Sequence, residues 1–370
     1  MVFYHEKMAF PCACPVAATW ACILRQNKNY FNFKYDEYVT LGEYRGVAVD
    51  VHALEDAVES AKQSIITENT TTQDVTERGA AEEDTATVSY TVSIEGTPVE
   101  ALAKTDYAVT LGTTKTDLPL AGVITGMKVD EEKTQTITLP EDLKIDGQDS
   151  EYAGKQAELT LTVTKLTEKI VPQQITDEMV SAYTDGTYTT AQAYYDAVRA
   201  DKKETLAFSA AMEQVKILKY PQEESKLYYN MYLSQLSSSI SSSGMTLESY
   251  ASMLGYDSLE AFLSEYVTPM AASAAIQQVV ALSIYEKEGL SYTDAEYAEM
   301  ADRYATQNSM ENGDAYIEEY GDTDIVLQLK SNAVYAFLAE NAVETDEHDH
   351  TEDTTAQEDQ TQGEPAETAA

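Results

Sequence analysis

The spacing of apolar residues changes once along the chain, and this change constrains the fold more than any single motif. Over residues 85–167 apolar and polar residues alternate, as in VSYTV (88–92) and LTLTV (159–163). A period of two is typical of antiparallel strands that are buried on one face. From Ile175 to about Val343 the spacing is instead helical. The sequence therefore predicts an α+β chain, with an antiparallel sheet domain followed by an all-α domain.

Composition and periodicity together divide the chain into five regions. Tyr38–Val51 is predicted to form a short strand pair, and a helix is predicted from about His52 to Ile66. The tail has no aromatic or branched aliphatic residue, so we expect it to be disordered. The regions are an N-terminal extension (1–35), a strand–helix lead-in and linker (36–84), the sheet domain (85–168), the helical domain (169–344) and the acidic tail (345–370).

Local signals place the starts of several helices. Three stretches have the spacing of a capping box, in which a short polar residue precedes Glu or Gln by three positions. They are Thr189-x-x-Gln192, Asp257-x-x-Glu260 and Thr293-x-x-Glu296. Pro221 stands where a further helix should begin. Pro269 lies inside the helical run 259–287 and is expected to interrupt it.

The charge of the chain excludes whole classes of partner. It has 24 Lys and Arg against 64 Asp and Glu, a net charge of −40. A surface this negative repels phosphate backbones, so we expect neither nucleic-acid binding nor docking on ribosomal RNA. Only 4 His are present, and residues 169–344 contain none, so no Ser-His-Asp site is expected there. We predict no metal site and no cofactor.

The N-terminal extension contains a 17-residue apolar stretch, MAFPCACPVAATWACIL (8–24), between Lys7 and Arg25. It is short for a membrane span and holds two prolines, so its length suits a signal peptide better. TWAC (19–22) resembles the cleavage box of a lipoprotein. This interpretation predicts an extracytoplasmic protein whose membrane tether is the N-terminus alone. The alternative is an unstructured extension on a cytoplasmic protein.

Four stretches of the sheet region resemble the FKBP-type isomerase domain of trigger factor. They are EDTATVSYTVSIEGTPV (83–99), VTLGTTKTDLPLAGVITGM (109–127), TLPEDL (138–143) and YAGKQAELTLTV (152–163). YVTLGEYRG (38–46) is similar to the lead-in of extracytoplasmic trigger-factor-like lipoproteins of Gram-positive bacteria. Residues 171–343 resemble the helical domain of trigger factor, which is related in shape to SurA-type chaperones. The resemblance implies an FKBP-like sheet domain before an elongated all-α domain, without the ribosome-binding domain.

The resemblance also assigns pocket positions. An isomerase of this type lowers a barrier of about 18–20 kcal/mol by holding proline among aromatic side chains. Here Tyr90 keeps an aromatic ring, but the other matched positions are mostly aliphatic. They carry Val99, Asp117, Leu118, Leu120, Leu139, Leu143 and Leu159. The loss of rings predicts a domain that folds but has a degenerate catalytic pocket, and it leaves prolyl isomerase activity open.

The helical region is rich in Tyr and Met. Adjacent residues on a helix point about 100° apart, so one tyrosine of each adjacent pair should be partly exposed. Exposed Tyr and Met side chains adapt to many apolar partners. The candidate client-binding residues are Tyr194, Tyr195, Tyr228, Tyr229, Met231 and Tyr232.

These observations predict a chaperone that binds unfolded polypeptides, including nascent exported ones. Two alternatives stay open at this point. One is an active peptidyl-prolyl isomerase acting in protein folding or export. The other is a surface structural or adhesion protein without catalytic activity.

Overall fold

The computed structural model describes residues 31–145 and 147–346. The helices are α1 (Val51–Glu68), α2 (Leu120–Ile124), α3 (Asp177–Tyr183), α4 (Ala191–Glu213), α5 (Gln222–Ser242), α6 (Leu247–Met253), α7 (Leu259–Phe262), α8 (Thr268–Glu288), α9 (Asp294–Gln307), α10 (Gly313–Tyr320) and α11 (Thr323–Asn341). The strands are β1 (Val39–Thr40), β2 (Ala48–Asp50), β3 (Thr71–Asp74), β4 (Thr85–Ile94), β5 (Thr97–Pro98), β6 (Lys104–Thr110), β7 (Glu132–Thr138), β8 (Lys144–Ile145), β9 (Gln148–Asp149), β10 (Gln156–Ile170), β11 (Lys216–Ile217) and β12 (Val343–Thr345). The predicted extension and tail lie almost entirely outside the described residues.

The chain separates into two compact units, which are described one at a time. One comprises Val58–Asp196, and the other combines Met1–Ala57 with Ala197–Ala370. The first unit extends on both sides of the sheet region 85–168. The second is assembled from two separate parts of the chain. The boundaries between the two units lie near residues 57 and 196. The five regions predicted from the sequence stay a prediction.

The Val58–Asp196 unit is built on a six-stranded antiparallel sheet. β10 is its longest strand, with β4 on one side and both β7 and β3 on the other. Alternate residues of β4 and β10 are buried, so Tyr90 and Leu161 are register partners on the apolar face. The period of two predicted for this region is confirmed. The short helix α2 contributes Leu120 and Ile124, both fully buried, to the same core.

The other unit is organised around α8. Nine residues of α8 are buried, and α5 and α11 pack against it. A π-helical turn, Leu263–Val267, separates α8 from α7 just before Pro269, which confirms the predicted interruption. Leu259–Glu288 is the one helical run of the described residues with the length and apolarity of a membrane span. Its apolarity is that of a core helix, because 56% of that apolar stretch is buried inside the protein.

The predicted strand pair within Tyr38–Val51 is wrong. Two strands do form there, but β1 pairs with β11 and β2 pairs in parallel with β12. Gly42 explains the difference, because its backbone lies against that of Gln214. A Cβ on Gly42 would lie 2.2 Å from the carbonyl oxygen of Gln214. The segment therefore crosses another part of the chain and does not turn back on itself.

Two of the three predicted capping boxes are wrong by one residue. Thr190 caps α4 by accepting from Ala193 N at 3.2 Å, while the Gln192 side chain donates to Asp196. Ser258 caps α7 by accepting from Ala261 N. In both places a hydroxyl next to the predicted cap accepts the bond. The box at Thr293 is confirmed, with both of its hydrogen bonds present.

An ion pair between the buried Asp84 and the exposed Arg78 fixes the entry into β4 and gives a pH-dependent prediction. Asp84 is 3% exposed and accepts from Arg78 Nη2 at 2.9 Å and from Ala81 N at 2.7 Å. Hydrogen bonding from Arg78, and secondarily from Ala81, lowers the pKa of Asp84. A lowered folded-state pKa stabilises the fold above the unfolded pKa, near about 4, and that stability is lost as pH falls through the folded pKa.

We expect Asp84→Asn to lower the free energy of unfolding of this unit by about 2 kcal/mol at pH 7, because charge-assisted hydrogen bonds are lost. The difference from the unmodified protein should shrink as pH falls from about 4, where the carboxyl of the unfolded chain is protonated, through the lowered pKa of the folded state. Urea unfolding at a series of pH values measures this difference. Equal stability of the two proteins at pH 7 would contradict the prediction.

Candidate functional site

The predicted isomerase pocket positions come together, but as a packed core. Seven of the eight lie in one buried cluster of the sheet unit, and none of these is more than 9% exposed. They are Tyr90, Val99, Leu118, Leu120, Leu139, Leu143 and Leu159. Asp117 is exposed. Each aliphatic replacement thus packs against the sheet, where the family resemblance implies rings around a bound proline.

Tyr90 is the one ring retained at these positions, and its surroundings are apolar. It meets Tyr107 edge-on, with ring centroids 6.3 Å apart. Burial raises the pKa of Tyr90 to about 12, with smaller contributions from Tyr107 and Asp117. The hydroxyl is therefore neutral at physiological pH and offers no base. Its ring acts as part of the sheet core.

The predicted client-binding residues of α5 are placed differently from one another. Tyr228, Met231 and Tyr232 are 7%, 4% and 8% exposed and belong to the core around α8. Burial raises the pKa of both tyrosines. These three candidate client-binding residues are therefore part of the core, because positions i, i+3 and i+4 share the stripe of α5 that faces it. Tyr229 is half-buried and packs against the edge of the same core.

The other predicted pair lies in a tyrosine cluster of the Val58–Asp196 unit. Tyr194 and Tyr195 are half-buried, and the Tyr194 ring lies within 6.1 Å of the rings of Tyr183 and Tyr188. The Lys62 ammonium lies 5.5 Å from the centre of the Tyr195 ring. An open groove of about 470 Å³ lies beside this cluster. It is lined by Ser60, Gln63, Ser64, Thr67, Glu68 and Tyr183.

A set of exposed apolar side chains was missed by the site prediction. Met253, Leu254 and Tyr266 are 64%, 47% and 44% exposed, and Met245 is 37% exposed. All four come from the segment that runs from the end of α5, through α6 and α7, to the π-helical turn. These elements pack on one another. We call the four side chains the 245–266 patch.

One buried ring, with three tyrosine rings against it, holds the segment that carries the patch. Phe262 is fully buried and stacks on Tyr266, with centroids 5.4 Å apart and planes 15° apart. Tyr256 and Tyr250 meet the same ring edge-on at 5.3 and 6.0 Å. Such ring pairs contribute about 0.5–1.5 kcal/mol each beyond their burial. A rigid interior thus supports an apolar surface.

The charged residues of the segment that carries the patch all have one sign. No Lys or Arg occurs between Lys226 and Lys287. Four carboxylates of this segment are exposed: Glu248, Asp257, Glu260 and Glu265. The segment therefore exposes apolar, methionine-containing side chains and carboxylates, and it carries no basic side chain. Such a surface can bind flexible apolar segments without a fixed sequence.

No group of three or more His, Cys, Asp or Glu side chains among residues 31–145 and 147–346 is placed to hold a metal ion.

Comparison with known proteins finds similarity to trigger factor in both the family match and the individual relatives. Residues 188–344 match the family described as bacterial trigger factor protein C-terminus. Trigger factor of Pelobacter propionicus is 24% identical over 277 residues, which are 70% of this chain and 60% of that protein. Trigger factor of Agathobacter rectalis is 24% identical over 80% of this chain and 68% of its own length. Trigger factor of Staphylococcus aureus is 24% identical over 82% and 71%.

The matched part of this chain spans 60% of the Pelobacter propionicus protein and 71% of the Staphylococcus aureus protein. A solved structure reported as "Promiscuous Substrate Recognition in Folding and Assembly Activities of the Trigger Factor Chaperone" is 18% identical and covers 82% of this chain and 72% of that one. The TM-score between the two structures is 0.30. The match of residues 188–344 and the similarity to trigger factors over 80% and 82% of the chain make this protein trigger factor-like.

Proposed function

We propose that this protein is a chaperone that binds unfolded polypeptides through the 245–266 patch. The observation that carries the proposal is the exposure of Met253 and Leu254, 64% and 47%, on a segment held by the buried Phe262 ring. Large apolar side chains exposed together mark interaction surfaces. The segment lies inside the region that matches the trigger factor C-terminus, which supports a chaperone-type activity.

We further propose that the sheet unit is a degenerate isomerase domain. The packing of Val99, Leu120 and Leu159 supports this, since each is at most 9% exposed and leaves the expected ring positions aliphatic. A twisted prolyl amide needs an apolar cavity with oriented dipoles around it. The unit would then contribute a folded scaffold and no catalysis.

One pair of assays tests both parts. A denatured model enzyme is diluted into buffer with an equimolar amount of the full chain, and light scattering follows its aggregation. We expect scattering to fall by at least about half, because a bound apolar segment is withheld from aggregation. A protease-coupled assay on a proline peptide should show a rate no higher than background.

The outcomes separate the candidate functions. Unchanged scattering at equimolar protein would overturn the chaperone proposal. A proline rate above background that disappears in Tyr90→Ala would instead assign an active isomerase. The matched control is Tyr107→Ala, which removes the ring facing Tyr90 and none of the eight predicted pocket positions.

A further inference from the structure

The last described residues form a strap across the N-terminal lead-in of their own unit. β12 pairs in parallel with β2, with Val343 opposite Ala48 and Thr345 opposite Asp50. Val343 N donates to the carbonyl oxygen of Val47 at 2.9 Å. We call residues 343–346 the C-terminal strap. Backbone pairing gives the strap its register.

Basic side chains hold the strap at Glu344. Arg199 Nη2 lies 2.5 Å from Glu344 Oε2, and Lys203 Nζ lies 3.0 Å from Glu344 Oε1. Arg199 and Lys203 stand one helical turn apart on α4, so both reach the same carboxylate. Hydrogen bonds from Arg199 and then Lys203 lower the pKa of Glu344 to about 2. The carboxylate is therefore charged at any ordinary pH.

A second carboxylate of the strap meets α1. Asp346 Oδ1 lies 2.8 Å from His52 Nε2. Glu344 and Asp346 are two positions apart, so they project from the same side of an extended segment. The strap therefore presents an acidic x-Glu-x-Asp pattern to a receiving surface with Arg199, Lys203 and His52.

Apolar burial contributes little to this attachment. Val343 is 54% exposed, Glu344 is exposed and Thr345 is half-buried. Three residue pairs of parallel strand are a weak attachment by themselves. A segment attached in this way can leave without opening the core. Basic side chains are scarce in this chain, with 24 Lys and Arg against 64 Asp and Glu. Two of them on one carboxylate therefore indicate a specific binding site for a carboxylate.

We propose that the edge of β2, with Arg199 and Lys203, is a strand-docking site for an extended acidic peptide, and that the C-terminal strap is its displaceable resident. The incoming segment adds a strand to β2 through backbone hydrogen bonds. Its carboxylate takes the place of Glu344 between Arg199 and Lys203, where charge-assisted bonds select acid over amide. This site is independent of the 245–266 patch and of the proposed function.

The test first releases the C-terminal strap from β2 and then measures whether an added peptide binds in its place. Glu344→Lys in the full chain should release the strap, because the lysine faces Arg199 and Lys203 with like charge. Amide hydrogen exchange over 343–345 should then be about tenfold faster or more. Glu340→Lys is the matched control, since it makes the same charge change at an exposed residue of α11. It should leave that exchange unchanged.

A fluorescent peptide with the sequence of residues 341–346, NAVETD, is the probe. We expect it to bind Glu344→Lys at least about tenfold more tightly than the unmodified protein, as measured by anisotropy at low salt. The peptide NAVQTN and the variant Arg199→Glu/Lys203→Glu/Glu344→Lys should each lose that binding. The proposal is overturned by unchanged exchange in Glu344→Lys, by equal binding of NAVQTN, or by a released strap with no NAVETD binding up to about 1 mM.

Discussion

Replacing Met253 and Leu254 together by glutamine is expected to raise, by about tenfold, the amount of protein needed to suppress client aggregation. Fully burying such a side chain against a client stabilises the complex by about 1.5–3 kcal/mol. Met253 and Leu254 are 64% and 47% exposed, so only that fraction of each side chain can still be buried by a client. Because the glutamine side chain keeps part of the apolar stem, we expect a combined loss of about 1.4 kcal/mol, which corresponds to a factor of ten. Light scattering over a concentration series measures the shift.

Glutamine suits this test because it keeps the length of the side chain and the net charge, and it is compatible with a helix. The matched control is Ile170→Gln/Val171→Gln, which removes two exposed apolar side chains of the Val58–Asp196 unit. Those residues are 42% and 46% exposed. A control that loses as much suppression as the Met253/Leu254 variant would show that exposed apolar area matters wherever it lies. Full suppression by the Met253/Leu254 variant would remove the patch from the proposed function.

Phe262→Ala is expected to lower the free energy of unfolding of the helical unit by about 3–5 kcal/mol. Phe262 is fully buried, and three tyrosine rings lie against it within 6.0 Å. Alanine leaves a cavity in place of the ring and also removes these ring contacts. Urea unfolding followed by circular dichroism gives the change. Limited proteolysis should show earlier cleavage within 244–268.

Phe262→Leu is the control, because it keeps most of the apolar volume and should cost no more than about 1.5 kcal/mol. Leucine cannot make the ring contacts of Phe262 with the tyrosines. Comparing Phe262→Leu with Phe262→Ala therefore separates the contribution of the apolar volume from that of the ring contacts. A loss below about 1 kcal/mol in Phe262→Ala would mean that the segment relaxes around the cavity. The support that we assign to Phe262 would then be wrong.

The sheet and the helical run follow from local pattern, and this explains why they could be predicted. Val88, Tyr90 and Val92 alternate with Ser and Thr, and one-sided burial then fixes the register, since a slip of one residue would bury the polar set. Pro269 removes a backbone donor from a helix wherever it stands, so its effect also needs no tertiary information.

Helix starts were less predictable where two capping residues are neighbours. Thr189 and Thr190 are chemically alike, and the spacing to Gln192 favoured the first. The structure uses Thr190, and at α7 it uses Ser258 in place of Asp257. The choice depends on which residue takes the extended backbone at the point where the chain enters the helix, and Ser258 has φ −158° and ψ 162°. Composition does not contain that information.

The candidate site also depends on tertiary packing that the local sequence does not determine. The pair Tyr228-Tyr229 predicts one exposed ring, but the face that α5 turns to α8 decides which one. The pairing of β2 with β12 joins distant parts of the chain through two very short strands, and neither strand carries a pattern long enough to recognise. The 245–266 patch did have a sequence signal, namely Met and Leu beside Gly244 and Gly255 in a stretch without any Lys or Arg.

The discontinuous unit has a consequence for the order in which the protein can fold as it is synthesised. Ala48 emerges early, whereas its partner Val343 emerges only when nearly the whole described chain has been made. The Val58–Asp196 unit is complete long before then and can fold first. β1 can pair with β11 once Ile217 has been made, but β2 has no strand partner until residues 343–345 are made. A protein that we propose to bind unfolded chains is therefore itself incompletely folded during its synthesis, and its folding is completed only when β12 pairs with β2.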